Sequence, residues 1–427
     1  MAQSDQFRSG RGRSAPGPQE AEVHLGHSLL HVGKLRFSFE RTRQHSEFSY
    51  DRDWVEDARG FAIAPDLPLG LAPFFASSGR SGDQRESLPG VLQDAAPDAW
   101  GRMLMERLYG AGLSEFDMLT LTDDTTRQGA LRFCDGRGRI ITGEGAAPVP
   151  QLIELEELQA TAASIERGGE VSNEALRQMA GAGGSIGGAR PKANVLNEDQ
   201  LWIAKFSSAG DASPVERMEV ATLKLAREVG LNAPDARLML ERTTSPIALI
   251  RRFDREGTAR IPYLSARTAL ERHGTEQGAY TDLAQFIQQH SDNPRADLRE
   301  LWSRIAFTIL VTNTDDHLKN HGFVYAGEGQ WSLSQLFDVN PQPERHRFLK
   351  TAIIEGEPFA ASLELALEAA VFFNLTTDEA RRLAHEMARQ INGTWRTIMR
   401  NHGVTGADLR SLEPAFEHEE MERALEL

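Results

Sequence analysis

Asn313-Thr314-Asp315-Asp316-His317-Leu318-Lys319-Asn320-His321 is the densest polar run of the 427-residue chain. Asp315 and Asn320 stand five residues apart. Phosphoryl-transfer loops use that interval for an Asp that accepts a hydroxyl proton and an Asn that holds a metal ion. Lys319 could neutralise charge on the transferring group. Asp316 adds a second carboxylate beside Asp315, and either could be the base. Other chemistries compete for the same residues. His317 and His321 could share a zinc ion, although Leu318 stands where a zinc-protease helix carries its Glu. A solvated loop with an Asn cap and hydrogen-bonding histidines is the plainest alternative.

Asp338, in Leu336-Phe337-Asp338-Val339-Asn340-Pro341, follows Asp315 by twenty-three residues and offers a hard oxygen ligand suited to Mg2+. Lys205 is the single charge in the apolar run Leu201-Trp202-Ile203-Ala204-Lys205-Phe206. It could snorkel to water from a strand end, or pair with nucleotide phosphates while a Glu on the next helix holds it. Glu219 stands on that helix, with Glu216 a second candidate about one turn earlier.

Upstream lies Gly181-Ala182-Gly183-Gly184-Ser185-Ile186-Gly187-Gly188. Gly183 to Gly187 matches the G-x-S-x-G nucleophile elbow, but that motif needs a strand before it and a helix after, and here the order is reversed. No Gly-Lys-Ser/Thr follows, so it is not a Walker A loop. A flexible interdomain loop and a backbone N–H cradle for phosphates both remain.

These residues need elements to position them. Leu29 to Val32 and Leu35 to Phe39 read as strands around a Gly33-Lys34 turn, and Gly129 to Phe133 as another. Pro97 opens a helix from Asp98 to Tyr109, closed by Gly110. Gly143 to Pro150 is the clearest linker. A helix over Gln151 to Arg167 and a helical turn over Asn173 to Met179 precede the glycine segment. Strands at Lys192–Leu196 and Leu201–Phe206, an amphipathic helix at 214–229, and strands at Arg237–Leu240 and Ile247–Phe253 follow. That order builds a small antiparallel lobe. Beyond Ala279 the pattern turns helical, and Thr376 with Glu379 fits a capping box.

Composition bounds the rest. A chain of this length implies more than one packed unit. A formal net charge of −15 opposes autonomous binding to a polyanion. The single Cys134 excludes a disulfide framework. No apolar run is long enough for a membrane span, the polar first twenty residues lack a signal-peptide core, and the cytoplasm is the expected compartment. Only six lysines occur, and three of them (Lys192, Lys205, Lys319) fall inside the motifs above.

Taken together the residues resemble HipA-like serine/threonine kinases, the toxins of bacterial toxin–antitoxin pairs, from about residue 22 to about 400. Gly184 to Lys192 looks like the family's glycine loop, and Trp202 to Phe206 its Lys strand. Ile250-Arg251-Arg252-Phe253-Asp254-Arg255 is similar to its adenine hinge, Asn313 to Phe323 to its catalytic loop, and Phe337 to Pro341 to its metal motif. Leu92 to Arg102 and Gly129 to Phe133 resemble its N-terminal subdomain.

The resemblance implies an α+β fold, with a two-lobed protein-kinase-like core (small antiparallel β lobe plus helical lobe) and an N-terminal α/β subdomain. The expected boundaries are a lead-in over 1–21, the first subdomain over 22–145, the N-lobe over 146–278 and the C-lobe over 279–427. It implies ATP and Mg2+ as cofactors, with Asp315 as base, Lys319 beside it, and Asn320 and Asp338 on the metal. Gly184, Ser185, Ile186, Gly187, Gly188, Lys205, Glu219, Arg252, Phe253 and His317 would bind nucleotide. Ser185 occupies the position of a self-phosphorylated serine. A small DNA-binding, HipB-like antitoxin, a protein substrate such as an aminoacyl-tRNA synthetase, contact with DNA only through the antitoxin, and no membrane complete the expectation. A small-molecule phosphotransferase and an inactive nucleotide-binding scaffold that holds a repressor are the alternatives.

Overall fold

The structure, a computed structural model, describes residues 19–40, 43–79, 86–143, 148–184, 187–344 and 347–427. The first subdomain holds β1 (Gln19–Leu25), β2 (Leu30–Glu40), β3 (Arg43–Tyr50), α1 (Arg52–Glu56), β4 (Phe74–Ser77), α2 (Gly90–Asp94), α3 (Ala99–Tyr109), α4 (Glu115–Leu121) and β5 (Leu131–Cys134). Its strands form one antiparallel sheet in the order β4-β3-β2-β1-β5. Val23 and Leu25, Leu35 and Phe37, and Phe48 and Tyr50 recur at every second position and are buried, the period-two burial of a one-sided sheet.

Two expectations change here. No turn forms at Gly33-Lys34, because β2 runs straight through it; the chain reverses at Gly26 to Leu29, where both end residues take positive φ. Gly33 pairs with Val23 on one side and Tyr50 on the other, so two ladders hold it extended despite its turn-like composition. Gln19 already pairs with Phe37 and Ala21 is buried, so β1 begins inside the expected lead-in.

The small lobe holds α5 (Leu155–Glu166), α6 (Asn173–Gly183), β6 (Lys192–Asn197), β7 (Gln200–Lys205), α7 (Val215–Glu228), β8 (Ala236–Met239) and β9 (Ile247–Arg251). The sheet order is β6-β7-β9-β8, antiparallel throughout. Lys192 lies directly across from Lys205 in this ladder, so both lysines project from the same face. The helix expected to end at Met179 continues to Gly183. Ala180 and Ala182 share a buried cluster with Trp100 of α3 and Ala193 of β6, and that packing draws the first glycines out of the loop and into the helix.

The hairpin β10 (Arg255–Glu256) and β11 (Ala259–Arg260) and the strand β12 (Tyr263–Ser265) lead into the helical lobe. This contains α8 (Ala266–Ala269), α9 (Tyr280–His290), α10 (Pro294–Leu310), β13 (Gly322–Gly327), β14 (Gln330–Leu333), α11 (Leu363–Glu368), α12 (Thr377–Asn401), α13 (Gly406–Ser411), α14 (Glu413–Phe416) and α15 (Glu419–Leu425). Thr376 and Glu379 cap α12 reciprocally, as their spacing requires. The Glu-rich last helices, α14 and α15, are part of the core through Phe416, Met421 and Ala424. Phe416 stacks on Trp395 at 4.4 Å between ring centroids, and Glu420 accepts the Leu363 N–H at 2.6 Å.

Candidate functional site

Three charged side chains meet where the lobes face each other. Lys205 closes β7, Glu219 lies on α7, and Asp338 follows β14. The Lys205 ammonium donates to Glu219 at 2.5 Å and to Asp338 at 2.7 Å. Burial opposes the Lys205 charge, yet Asp338 and Glu219 outweigh it and raise the lysine's pKa. Lys205 in turn holds the Asp338 carboxyl well below the usual range. Glu219 is pushed up by burial, with Lys205 opposing. Asp338 is in the left-handed region at φ 57, a conformation that a non-glycine residue keeps only where its surroundings impose it. Glu216, the other sequence candidate, pairs instead with Arg190 at 2.7 Å and accepts from Ser207 at 2.9 Å.

The loop between α10 and β13 separates the two adjacent aspartates. Asp315 is exposed. Asp316 is buried, accepting from the Tyr280 hydroxyl at 2.8 Å and the Lys350 N–H at 2.7 Å, and burial lifts its pKa to about 7. Asn320 donates to the Asp315 carbonyl at 2.7 Å and so fixes the turn that presents Asp315. The two histidines diverge: His317 lines the cavity, whereas His321 is buried 3.3 Å from the Tyr280 hydroxyl, with its pKa driven down to about 3 by burial. Among the described residues no three His, Cys, Asp or Glu side chains gather as a metal cluster.

A cavity of about 210 Å³ lies between the lobes. Its polar lining includes Gly187, Gly188, Lys192, Lys205, Lys319, Asn320 and Asp338; its apolar lining includes Ile203, Ile250, Phe253 and Phe337. The Phe253 and Phe337 rings stand 5.5 Å apart. Arg252 also lines the cavity, but its guanidinium is committed elsewhere. It donates to Asp254 at 2.8 and 2.6 Å, to Asn194 at 2.7 Å and to the Thr126 carbonyl at 2.6 Å. Gly184 sits just past α6, away from the cavity wall, and Ser185 and Ile186 lie outside the described residues.

Sequence reasoning gave no role to two residues that line this cavity. Lys192 is buried under Gly187, donates to that residue's carbonyl, and is held down to about 8 by burial and by Lys205. Asp98, from the first subdomain, reaches Lys319 at 2.5 Å. Lys192 could have been found from its register opposite Lys205. Asp98 carried no such signal, since an Asp after Pro97 reads as a helix start.

Residues 184–395 match the HipA-like C-terminal domain and residues 21–133 the HipA N-terminal domain. The chain belongs to the HipA-like family. Its fold is shared with the HipA toxin of Shewanella oneidensis MR-1, solved in complex with HipB and operator DNA. That match has a TM-score of 0.66 at 18% identity, covering 95% of this chain and 96% of that one. Two curated relatives, each named only as an inferred kinase, come from Haemophilus influenzae and Sinorhizobium fredii. Each is 28% identical over 38% of this chain, and the chain spans 54% and 40% of their respective lengths. No helix among the described residues is long and apolar enough to cross a membrane.

Proposed function

We propose that the protein is an ATP- and Mg2+-dependent serine/threonine protein kinase of the HipA toxin type. The observation that carries this reading is the Lys205 ammonium bonded at once to Glu219 of the small lobe and Asp338 of the helical lobe. The donor set suits the absent groups. Lys192 and Lys205 with the Gly187–Gly188 backbone match a polyphosphate, and the apolar lining of Ile203, Ile250, Phe253 and Phe337 matches a base. A Mg2+ that shares phosphate oxygens needs only one or two protein ligands, so Asp338 and Asn320 suffice. The ion, when bound, would neutralise charge on the phosphate oxygens. Lys205 and Lys192 would orient phosphates, while the hinge backbone near Phe253 would border the base. Asp315 would accept the hydroxyl proton of the acceptor, with Lys319 beside the transferring group.

The exposure of Asp315 supports a protein acceptor, because a side chain on a macromolecule can approach it from solvent. Ser185 is the self-phosphorylation site in this reading, a HipB-like antitoxin is the partner that brings the acidic protein to DNA, and an aminoacyl-tRNA synthetase is the substrate class. Incubating purified protein with isotopically labelled ATP and a cell lysate, read by mass spectrometry, tests it. Labelled seryl or threonyl peptides are expected; label confined to small molecules, or none, overturns the reading.

A further inference from the structure

The first subdomain grips the glycine segment on both sides. Past α6, the chain approaches α3 so closely that a Cβ on Gly101 would lie 2.4 Å from the Gly184 carbonyl oxygen. On the far side the Trp100 N–H donates to the Gly188 carbonyl at 3.2 Å, and the Trp100 indole donates to the Lys192 carbonyl at 3.0 Å. Asp98 makes two bonds. One carboxylate oxygen accepts the Gly188 N–H at 3.0 Å, and the other meets the Lys319 ammonium at 2.5 Å.

We propose that Asp98 is a positioning residue for phosphoryl transfer, whose single carboxylate fixes the glycine segment with one oxygen and the catalytic-loop Lys319 with the other. The proposal rests on the kinase reading above and adds that the first subdomain completes the site within the same chain. Two costs make such a tether useful. Gly188, at φ 98, has a backbone freedom that must be removed before its N–H can face a ligand. Lys319 loses side-chain entropy when it is ordered, and an ammonium already aimed loses less on meeting a phosphoryl group. Burial disfavours the Asp98 charge, but Lys319 and the Gly188 N–H outweigh it, so the carboxylate stays ionised while it holds both. An exposed Asp–Lys pair alone would contribute little; here the second oxygen and the buried Trp100 fix the geometry.

Asp98→Asn and Asp98→Ala separate the two bonds. Asn keeps an oxygen for the Gly188 N–H and loses the charge on Lys319; Ala loses both. We expect Asp98→Asn to lower kcat at least about tenfold with KM for ATP within about threefold, and Asp98→Ala to raise KM about tenfold as well. In nucleotide-free protein, amide hydrogen exchange over residues 187–192 should quicken about tenfold in Asp98→Ala and stay near wild type in Asp98→Asn. Unchanged kcat and KM in both variants, or equal exchange in Asp98→Ala and wild type, overturns the proposal. If the wild type transfers no phosphate the kinase reading falls, and the exchange comparison alone then decides whether Asp98 tethers the segment.

Discussion

The Lys205 ammonium lies 2.7 Å from the Asp338 carboxylate across 133 residues of sequence, a direct bond between the two lobes. Glu219 takes the same ammonium from the other side. A single charge therefore registers strand, helix and inter-lobe loop against one another.

Lys205→Met should abolish nucleotide binding and destabilise the fold by roughly 3 kcal/mol, because it leaves the buried Glu219 carboxylate unpaired. Lys205→Met with Glu219→Leu should recover most of the stability and none of the binding. Urea unfolding and calorimetric ATP titration check both halves. Recovered binding in the double variant would contradict the assignment.

The segment between β9 and β10 carries a second buried knot. Asp254 accepts from Arg252, Arg255 and the Gly129 N–H, and these arginines hold its carboxyl well below the usual range despite burial. Asp254→Ala removes the carboxylate that neutralises two buried guanidinium groups and should cost roughly 3 kcal/mol in urea unfolding. A loss under about 1 kcal/mol would show that the cluster relaxes freely.

Much of this site was legible in local spacing. Lys205, Glu219, Asp315, Asn320 and Asp338 each sit at a readable place, a strand end, a helix turn or a polar loop, and the order of the elements follows from periodicity. The bonds that cross the fold were not legible. Asp98 and Lys319 are 221 residues apart, and nothing near Pro97 distinguishes a cap from a ligand. Arg252 looked free for a nucleotide because Asn194 and Thr126 come to it only through tertiary packing. Gly33-Lys34 has the composition of a turn, and pairing on both sides overrode it.

Asp316 should give stability a measurable pH dependence. Its folded pKa of about 7 lies above the ordinary carboxylate value, so the folded protein keeps a proton that the unfolded chain releases. This contribution is fully present below about pH 4 and is lost as pH rises towards and through 7. His321, driven down by burial, acts oppositely as pH falls below about 6.5, so the comparison must be made against a variant. Relative to wild type, Asp316→Asn should gain on the order of 2 kcal/mol between pH 5 and pH 8 in urea unfolding. An equal difference at both values would contradict a buried neutral Asp316.

By sequence Ser185 falls within the glycine segment proposed to hold nucleotide phosphates, and a phosphate on it would add about −1.5 to −2 charges to that segment. Wild-type protein purified with Mg2+-ATP should carry phosphate on Ser185 and bind fresh ATP at least about tenfold more weakly than the Ser185→Ala variant. Equal ATP affinity, or an unmodified Ser185, would contradict self-inactivation.

The central claim is transfer by the Asp315 carboxylate. Single-turnover transfer of labelled phosphate from ATP should be lost at least about a thousandfold in Asp315→Asn, while ATP affinity stays within about threefold of wild type. Transfer at a near wild-type rate in that variant would contradict the account.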